Sequence, residues 1–349
     1  MIPAMPSTVL IITNDHDSHA DHVVRELHRR DIPVFRFHPE DFPGACSVSI
    51  EIQDGRIDGE IKNAHHRVAL RDVCAAWFRR SRNLHMGRVN ATSEKLADYV
   101  NAQSGATLAA LFESLHTFWI GHPLVLRRAD VKALQLAEAS KAGLKTPMTL
   151  ISNDPVRVAA FAQTLRGAEC ALKPLHAIGV TDDRGYHLPL TTTIPPGQAL
   201  DSVALAPSIF QPYVEKESEL RCVVIGEKIF AAKIHSQGDE RTRRDWRGAK
   251  RSHEIFSLPD HVEASIRRLM RAFGINFASI DMILTPEGEF VFLELNPNGQ
   301  WLWLELELGL PLVASMVDLL TTYHSRPREL AEYMTAHDHG ARVALGSSP

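Results

Sequence analysis

Apolar residues along this chain recur with two periods, and the switches between them mark out its elements. Thr8 to Thr13 (TVLIIT) is a short β-branched run that predicts a buried strand. From His19 to Arg30 the apolar positions Val23, Val24 and Leu27 fall at helical spacing, and Ile32 to Phe37 reads as a second strand. Strand, helix and strand in that order predict a βαβ unit with a parallel sheet. Val48 to Ile61 alternates on both sides of Asp54-Gly55, a tight-turn dipeptide, and predicts a hairpin. Val73 to Phe78 is a further strand, ending in Arg79-Arg80-Ser81-Arg82. Leu96 to Trp119 is long enough for one helix or two, and Gly121-His122-Pro123 breaks whatever precedes it.

Past that break, Arg127 to Ala142 reads as a helix with Gly143 at its C-terminal cap. Strands follow at Met148 to Ile151, Cys170 to Leu175, Tyr186 to Thr192 and Ile209 to Val214. Arg221 to Ile225 and Lys228 to His235 form an antiparallel pair through Gly226-Glu227. Pro259 to Phe273 is a helix, Phe277 to Leu284 and Glu289 to Glu294 a hairpin around Pro286-Glu287-Gly288, and Leu310 to Tyr323 a closing helix. The pattern predicts an α/β (α+β) chain of two domains, residues 1–123 and 124–324, with a tail over 325–349. The first turn, NDHDSHAD, has no G-x-G-x-x-G, so the usual dinucleotide fingerprint is absent and the opening βαβ unit is compatible with a scaffold lobe.

Composition narrows the function classes. The 349 residues are 44% hydrophobic and 23% charged, ordinary for a soluble globular protein. A formal net charge of -4 gives no general attraction to nucleic acid or to an anionic membrane, so any basic site is local. The four cysteines, Cys46, Cys74, Cys170 and Cys222, lie far apart, which argues against a zinc cluster or disulfide framework and fits a reducing cytosol. The first residues lack the basic and apolar regions of a secretory signal, and no apolar run is long enough to span a membrane. The expectation is a cytoplasmic protein.

The chemistry concentrates in Ser279-Ile280-Asp281 and Phe290-Val291-Phe292-Leu293-Glu294-Leu295-Asn296-Pro297-Asn298-Gly299. Two adjacent antiparallel strands can set Asp281 beside Glu294, and Asn296, two residues on, shares that face of an extended strand. Two carboxylates and an amide oxygen make a hard all-oxygen cluster of the kind that holds Mg²⁺ with substrate phosphates. Carboxylates that close repel each other without a cation. Lys173, at the end of the apolar Cys170-Ala171-Leu172, and Lys132, early in the Arg127 helix, are point charges suited to phosphate oxygens. In Ile209-Phe210-Gln211-Pro212-Tyr213-Val214-Glu215, an apolar strand entering a hinge offers main-chain groups to an adenine edge. Glu219 can accept from ribose hydroxyls, and Arg221, on the same strand face, can reach a transferring phosphoryl group. A charged edge strand would carry the same Glu219 and Arg221 without any ligand.

The order Lys132, Lys173, Gln211 to Val214, Glu219-Leu220-Arg221, Asp281, Glu294-Leu295-Asn296-Pro297 resembles the ATP-grasp superfamily over Arg127 to Tyr323. The resemblance implies an ATP-grasp fold with an N-terminal Rossmann-like pre-ATP-grasp lobe. It also implies ATP held by both lysines and the hinge (Gln211, Tyr213, Val214) with Glu219, and Mg²⁺ on Asp281, Glu294 and Asn296. The stretches VFRFHPEDFP, AAWFRRSR, IFQPYVEKESELRCVVIG, AAKIHSQ with a following DWR, and LELNPNGQWLWLE are similar to the ATP-grasp peptide maturases that close graspetide (microviridin-type) macrocycles. That likeness implies an acidic ribosomal precursor peptide with a leader as partner, and a homodimer. It implies an Asp or Glu side chain activated by ATP and attacked by a Thr or Ser hydroxyl or a Lys amine. Arg221, Lys233 and His235 are then the candidate catalytic residues, and Arg79, Arg80, Asp245 and Arg247 the candidate peptide contacts.

The basic run Arg241, Arg243, Arg244, Arg247, Lys250 and Arg251 around Trp246 fits an acidic partner, although a solvated surface run has the same composition. Trp301 and Trp303, among leucines, are expected to pack in a core. A glutamate ligase would share every ATP residue, a phosphotransferase would keep the phosphate on its product, and a non-catalytic ATP-binding module would keep the pocket without turnover.

Overall fold

The computed structural model describes residues 7–79, 93–176, 179–182, 185–187, 191–195, 201–248, 252–324, 326, 329 and 332. They fall into two compact units, one drawn from Met1–Leu126, Ile275–Phe277 and Gln300–Pro349, the other from Arg127–Gly274 and Ala278–Gly299.

In the first unit the expected βαβ unit is β1 (Thr8–Ile12), α1 (Ser18–Arg29) and β2 (Val34–Phe37), with β1 and β2 parallel. Asp17 caps α1 by accepting from the His19 N–H. The hairpin forms as β3 (Cys46–Gln53) and β4 (Arg56–Asn63), joined by β5 (Arg67–Ala69) in a three-stranded antiparallel sheet. Asp54 and Gly55 both take positive φ, 51° and 74°, as a two-residue turn of this hand requires. β6 (Val73–Phe78) pairs with the other edge of β1. α2 (Glu94–Ser114) then stops short of the expected Trp119, because Phe118-Trp119-Ile120 leave the helix and become β7, parallel to β6. Pairing with the buried Ala75–Trp77 outweighs helical continuity there. The parallel sheet runs β2-β1-β6-β7, and Val9 to Ile12 at its centre are completely buried.

The expected helix Arg127 to Ala142 is two helices, α3 (Pro123–Ala129) and α4 (Lys132–Lys141), because Val131 takes an extended conformation (φ -74°, ψ 103°). β8 (Leu150–Ser152), α5 (Pro155–Thr164) and β9 (Cys170–Lys173) follow. The stretch read as one strand from Tyr186 divides between β11 (Gly185–His187), which pairs with β10 (Val180–Asp182), and β12 (Thr192–Ile194), which pairs with β9. With β13 (Ser208–Pro212) these make a four-stranded sheet in the order β12-β9-β13-β8.

β14 (Ser218–Ile225), β15 (Lys228–Ile234), α6 (Glu240–Arg243), β16 (His253–Phe256), α7 (Asp260–Phe273), β17 (Phe277–Leu284) and β18 (Phe290–Asn296) complete the second unit. Their sheet runs β16-β15-β14-β17-β18, which leaves β18 on an edge. The chain then returns to the first unit as α8 (Leu302–Leu308), which the pattern had not separated, and α9 (Leu312–Leu320). Gly309, at φ 70°, ends α8, and α9 packs against α1, where Arg30 bonds Asp318 at 2.7 Å. No described helix is long and apolar enough to cross a membrane.

Candidate active site

β17 and β18 pair with Asp281 opposite Glu294 and Ser279 opposite Asn296, as their spacing predicts. The register shifts after Asp281, because Met282 pairs with Phe292 and leaves Leu293 as an extra residue in β18. This bulge decides the site. In an unbroken strand Phe292, Glu294 and Asn296 would share a face. With the extra residue, Phe292 and Leu295 stay in the core with Ile280 and Met282, all four fully buried, while Glu294 and Asn296 turn to the face of Asp281.

On that face the two acids are tightly partnered. Arg221, buried on β14, donates to Asp281 Oδ1 at 2.8 Å and Oδ2 at 2.9 Å. Lys132, at the start of α4, donates to Glu294 Oε2 at 2.8 Å. Asn296 Nδ2 lies 3.1 Å from Glu294 Oε1 and 3.5 Å from Asp281 Oδ2, so one amide bridges both carboxylates. Burial raises the Asp281 carboxyl, with Arg221 pulling against it and Glu294 adding to it. Burial acts on Glu294 in the same sense, but the charge and hydrogen bond of Lys132 and the bond from Asn296 outweigh it and hold Glu294 low. The pair is therefore an oxygen cluster kept in place by two monovalent cations. Its donors fit Mg²⁺: turning the Asn296 amide offers its oxygen beside both carboxylates, three hard ligands with substrate oxygens to complete the shell.

Lys173 comes to the same place. It ends β9 opposite Ile209, on the sheet face away from the apolar cluster of Val158, Leu165, Cys170 and Phe210. Burial pushes its ammonium down, Glu294 pulls it up, and the charges of Lys216, Glu219 and Asp245 also reach it. Ile209 and Ala171 flank it as an apolar floor, and Gln211 on that face donates to Thr149 Oγ1 at 2.9 Å. Tyr213 and Val214 follow the end of β13. Tyr213 N donates to Glu169 O at 2.8 Å and its hydroxyl to Arg243 O at 3.2 Å. Burial raises the Glu219 carboxyl against the pull of Lys216, whose Nζ donates to Glu219 Oε1 at 2.7 Å and to Arg244 O at 3.1 Å. Sequence reasoning missed Lys216, which stands among acids in Glu215-Lys216-Glu217 with nothing local to mark it as buried.

Asp245 and Arg247 are hooked together: Arg247 Nε and Nη2 donate to the two carboxylate oxygens at 2.8 and 2.6 Å. The Arg247 charge lowers both Asp281 and Glu294, so the Asp245-Trp246-Arg247 segment borders the acid pair. Arg243 and Arg244 are exposed, with Arg244 3.7 Å from Glu169.

Three expected residues are placed otherwise. Lys233 pairs with Leu220, so alternation puts it on the opposite face of the sheet from Arg221, where its ammonium bonds Glu217 Oε1 at 2.6 Å. His235 lies just past β15, nearly half exposed, with its ring 3.4 Å from Glu254. Arg79, in the first unit, has no exposed surface; its Nε donates to Asp17 Oδ1 and Oδ2 at 3.1 and 2.9 Å. Arg80, Arg82, Lys250 and Arg251 lie outside the described residues. Trp301 is fully buried in the first unit, its N–H donating to His19 Nε2 at 3.1 Å.

A family model of the RimK-like ATP-grasp domain matches residues 129–320, more than half of the chain. The chain belongs to that family. A model of the MvdD pre-ATP-grasp domain matches residues 8–126 of this ATP-grasp ligase. Among solved structures it is similar to a Chryseobacterium gregarium RiPP-associated ATP-grasp ligase in complex with ADP and a leader and core peptide. That likeness has a TM-score of 0.83 at 29% identity and covers 90% of this chain and 96% of the other. It is also similar to the macrocyclase MdnC of Microcystis aeruginosa, bound with precursor peptide MdnA, at TM-score 0.80 and 28% identity, covering 90% of this chain and 99% of the other. Among curated proteins it is 23% identical to a probable alpha-L-glutamate ligase of Chromohalobacter salexigens, over 64% of this chain and 74% of the relative. A probable alpha-L-glutamate ligase of Vibrio atlanticus is 22% identical over 55% of this chain, which spans 63% of that relative. The fold is ATP-grasp and the chain is an ADP-forming ligase that uses ATP.

Proposed function

We propose that this ligase activates Asp or Glu side chains of an acidic ribosomal precursor peptide and closes macrocycles on them. The observation that carries the reading is one of extent. The likeness to the peptide-bound RiPP ligases covers 90% of the chain, which neither unit could supply alone, whereas the glutamate-ligase likeness covers 64% at most among those compared.

In the first step a peptide carboxylate oxygen attacks the γ-phosphorus of ATP, the bond to ADP breaks and an acyl phosphate forms. In the second, a Thr or Ser hydroxyl, or a Lys amine, attacks the acyl carbon, phosphate leaves with the bonding electrons, and the nucleophile gives up its proton. ATP becomes ADP and phosphate, and the peptide loses one water per ring. Lys132 and Lys173 neutralise the phosphates, with Lys132 moving from Glu294 to the nucleotide. Gln211, Tyr213 and Val214 line the adenine hinge and Glu219 accepts from the ribose. Arg221, within reach of Asp281, stabilises charge on the transferring phosphoryl group. Asp281, Glu294 and Asn296 would hold Mg²⁺, which supplies charge neutralisation at the transferred phosphate. Arg247, whose charge reaches the acid pair, and the exposed Arg243 and Arg244 suit an acidic peptide. The working form is a homodimer in the cytoplasm.

Incubation with ATP and a precursor peptide rich in Thr and Asp/Glu tests this by mass spectrometry. Loss of one water per ring supports it, and gain of a glutamate residue would favour the glutamate-ligase reading that the curated relatives' names suggest. Glu294→Gln should lower Mg²⁺-dependent ADP release by more than about 100-fold; unchanged release would remove Glu294 from the metal site.

A further inference from the structure

β18 is an edge strand, so its outward main-chain groups meet no further strand. Before the bulge, the Phe292 N–H is taken by Lys145 O at 2.8 Å. After the bulge, both outward groups of Leu295 go to one side chain. Gln135 Nε2 donates to Leu295 O at 2.7 Å, and Leu295 N donates to Gln135 Oε1 at 3.1 Å. The second hydrogen of that amide goes to Ala129 O at 2.6 Å, a buried carbonyl freed where α3 breaks before α4. Gln135 is completely buried, and it does for Leu295 what a neighbouring strand would do.

Leu295 is the link between Glu294 and Asn296. One turn earlier on α4, on the same helix face, Lys132 holds the Glu294 carboxylate itself. One helix therefore grips both the side chain and the main chain of the acid strand. We infer that Gln135 is a positioning residue for the metal ligands: by pinning both main-chain groups of Leu295 it sets the backbone that aims Glu294 and Asn296 at Asp281. β17 holds the inner side of β18 at these residues and Gln135 holds the outer side, where small rotations would carry both ligands off the shared face. The inference rests on reading Asp281, Glu294 and Asn296 as the Mg²⁺ site, and it extends that site to a residue that touches neither metal nor nucleotide.

Two variants of the full chain test it. Gln135→Leu keeps the volume and loses all three hydrogen bonds; Gln135→Glu, neutral in so dry a site, keeps the acceptor for the Leu295 N–H and one of the two donors. Hydrogen exchange at the Leu295 amide should be at least about 10-fold faster in Gln135→Leu and less affected in Gln135→Glu, with β14 amides unchanged. By calorimetry, the Mg²⁺ concentration needed for half-maximal ADP binding should rise about 10- to 100-fold in Gln135→Leu and by less in Gln135→Glu. ADP binding in EDTA should stay as in the parent. Should Gln135→Leu fail to fold, Gln135→Glu carries both measurements. An unchanged Mg²⁺ requirement, with or without a lowered melting temperature, overturns the inference, as does unchanged exchange at Leu295. Neither readout uses peptide, so a parent enzyme that binds Mg²⁺ and ADP yet never dehydrates a precursor would defeat the macrocyclase reading and leave this one standing.

Discussion

Lys216 and Glu219 form an ion pair with side chains only 3% and 8% exposed, so neither charge has water to fall back on. Lys216→Met should cost about 3–5 kcal/mol, because it leaves a buried carboxylate without its cation. Burial already raises Glu219, and losing Lys216 raises it further. An acid whose folded-state value lies above its unfolded value stabilises at low pH and loses that contribution as pH rises. The deficit of Lys216→Met, measured by denaturant titration, should therefore be smaller at pH 5 than at pH 8. Asp17 has the opposite sign. Burial would raise it, but hydrogen bonds from His19, Thr13 and Arg79 and the Arg79 charge together hold it far below the usual carboxylate range. Its contribution is full above the unfolded value of about 3.9 and fades as pH falls below it. Asp17→Asn should be destabilised by a constant amount from pH 8 to pH 5, with the gap to the parent narrowing below about pH 4. At Gly299 a Cβ would lie 2.5 Å from Ser279 Cβ and 3.0 Å from Arg221 Nη2. Gly299→Ala should cost about 1–3 kcal/mol and lower turnover by displacing Arg221 from Asp281; a melting scan and an ADP-release assay read the two effects.

Among elements, β18 carries most of the candidate site, and its geometry was only half legible. The alternation Glu294-Leu295-Asn296 announces a face, and the antiparallel partner of Asp281 follows from the hairpin turn at Pro286-Glu287-Gly288. The apolar doublet Phe292-Leu293 does not announce which residue bulges. Deleting Leu293 should restore regular alternation with Phe292 and Leu295 still inward and Glu294 and Asn296 still on the face of Asp281. The expected result is a folded chain that retains Mg²⁺-dependent ADP release; lost release would show that Leu293 does more than offset the apolar doublet. Elsewhere local periodicity overran the true ends. α2 was carried into Phe118-Trp119-Ile120 because these residues continue an apolar pattern, and only their pairing with β6 makes them a strand. The α3–α4 break was hidden because Asp130 and Val131 are tolerable in a helix. That break frees the Ala129 carbonyl that Gln135 caps.

At the scale of the whole molecule, the chain leaves its first unit after Leu126, returns briefly at Ile275–Phe277 and again from Gln300 onward. α1 depends on that return, since its buried Val23 and Leu27 lie on a helix that α9 packs against and Arg30 is tied to Asp318. A fragment ending at Leu126 should therefore lack the cooperative melting of the full chain by circular dichroism. A sharp transition in the fragment would show that α9 is dispensable.

Sequence by itself determined the periods and the parallel opening unit, and it marked Asp281, Glu294, Asn296, Lys132, Lys173 and Gln211 to Val214 as candidates, since these are written in spacing, residue type and motif order. Tertiary structure decided which way the groups face and which are dry. It turned Glu294 and Asn296 onto the face of Asp281 through one extra residue, put Lys233 on the far side of its sheet, and sealed Arg79 against Asp17. It also buried Lys216 and Gln135, which no local pattern marks. Facing and burial depend on strand register and on neighbours distant in the chain, and neither is encoded in a window of adjacent residues.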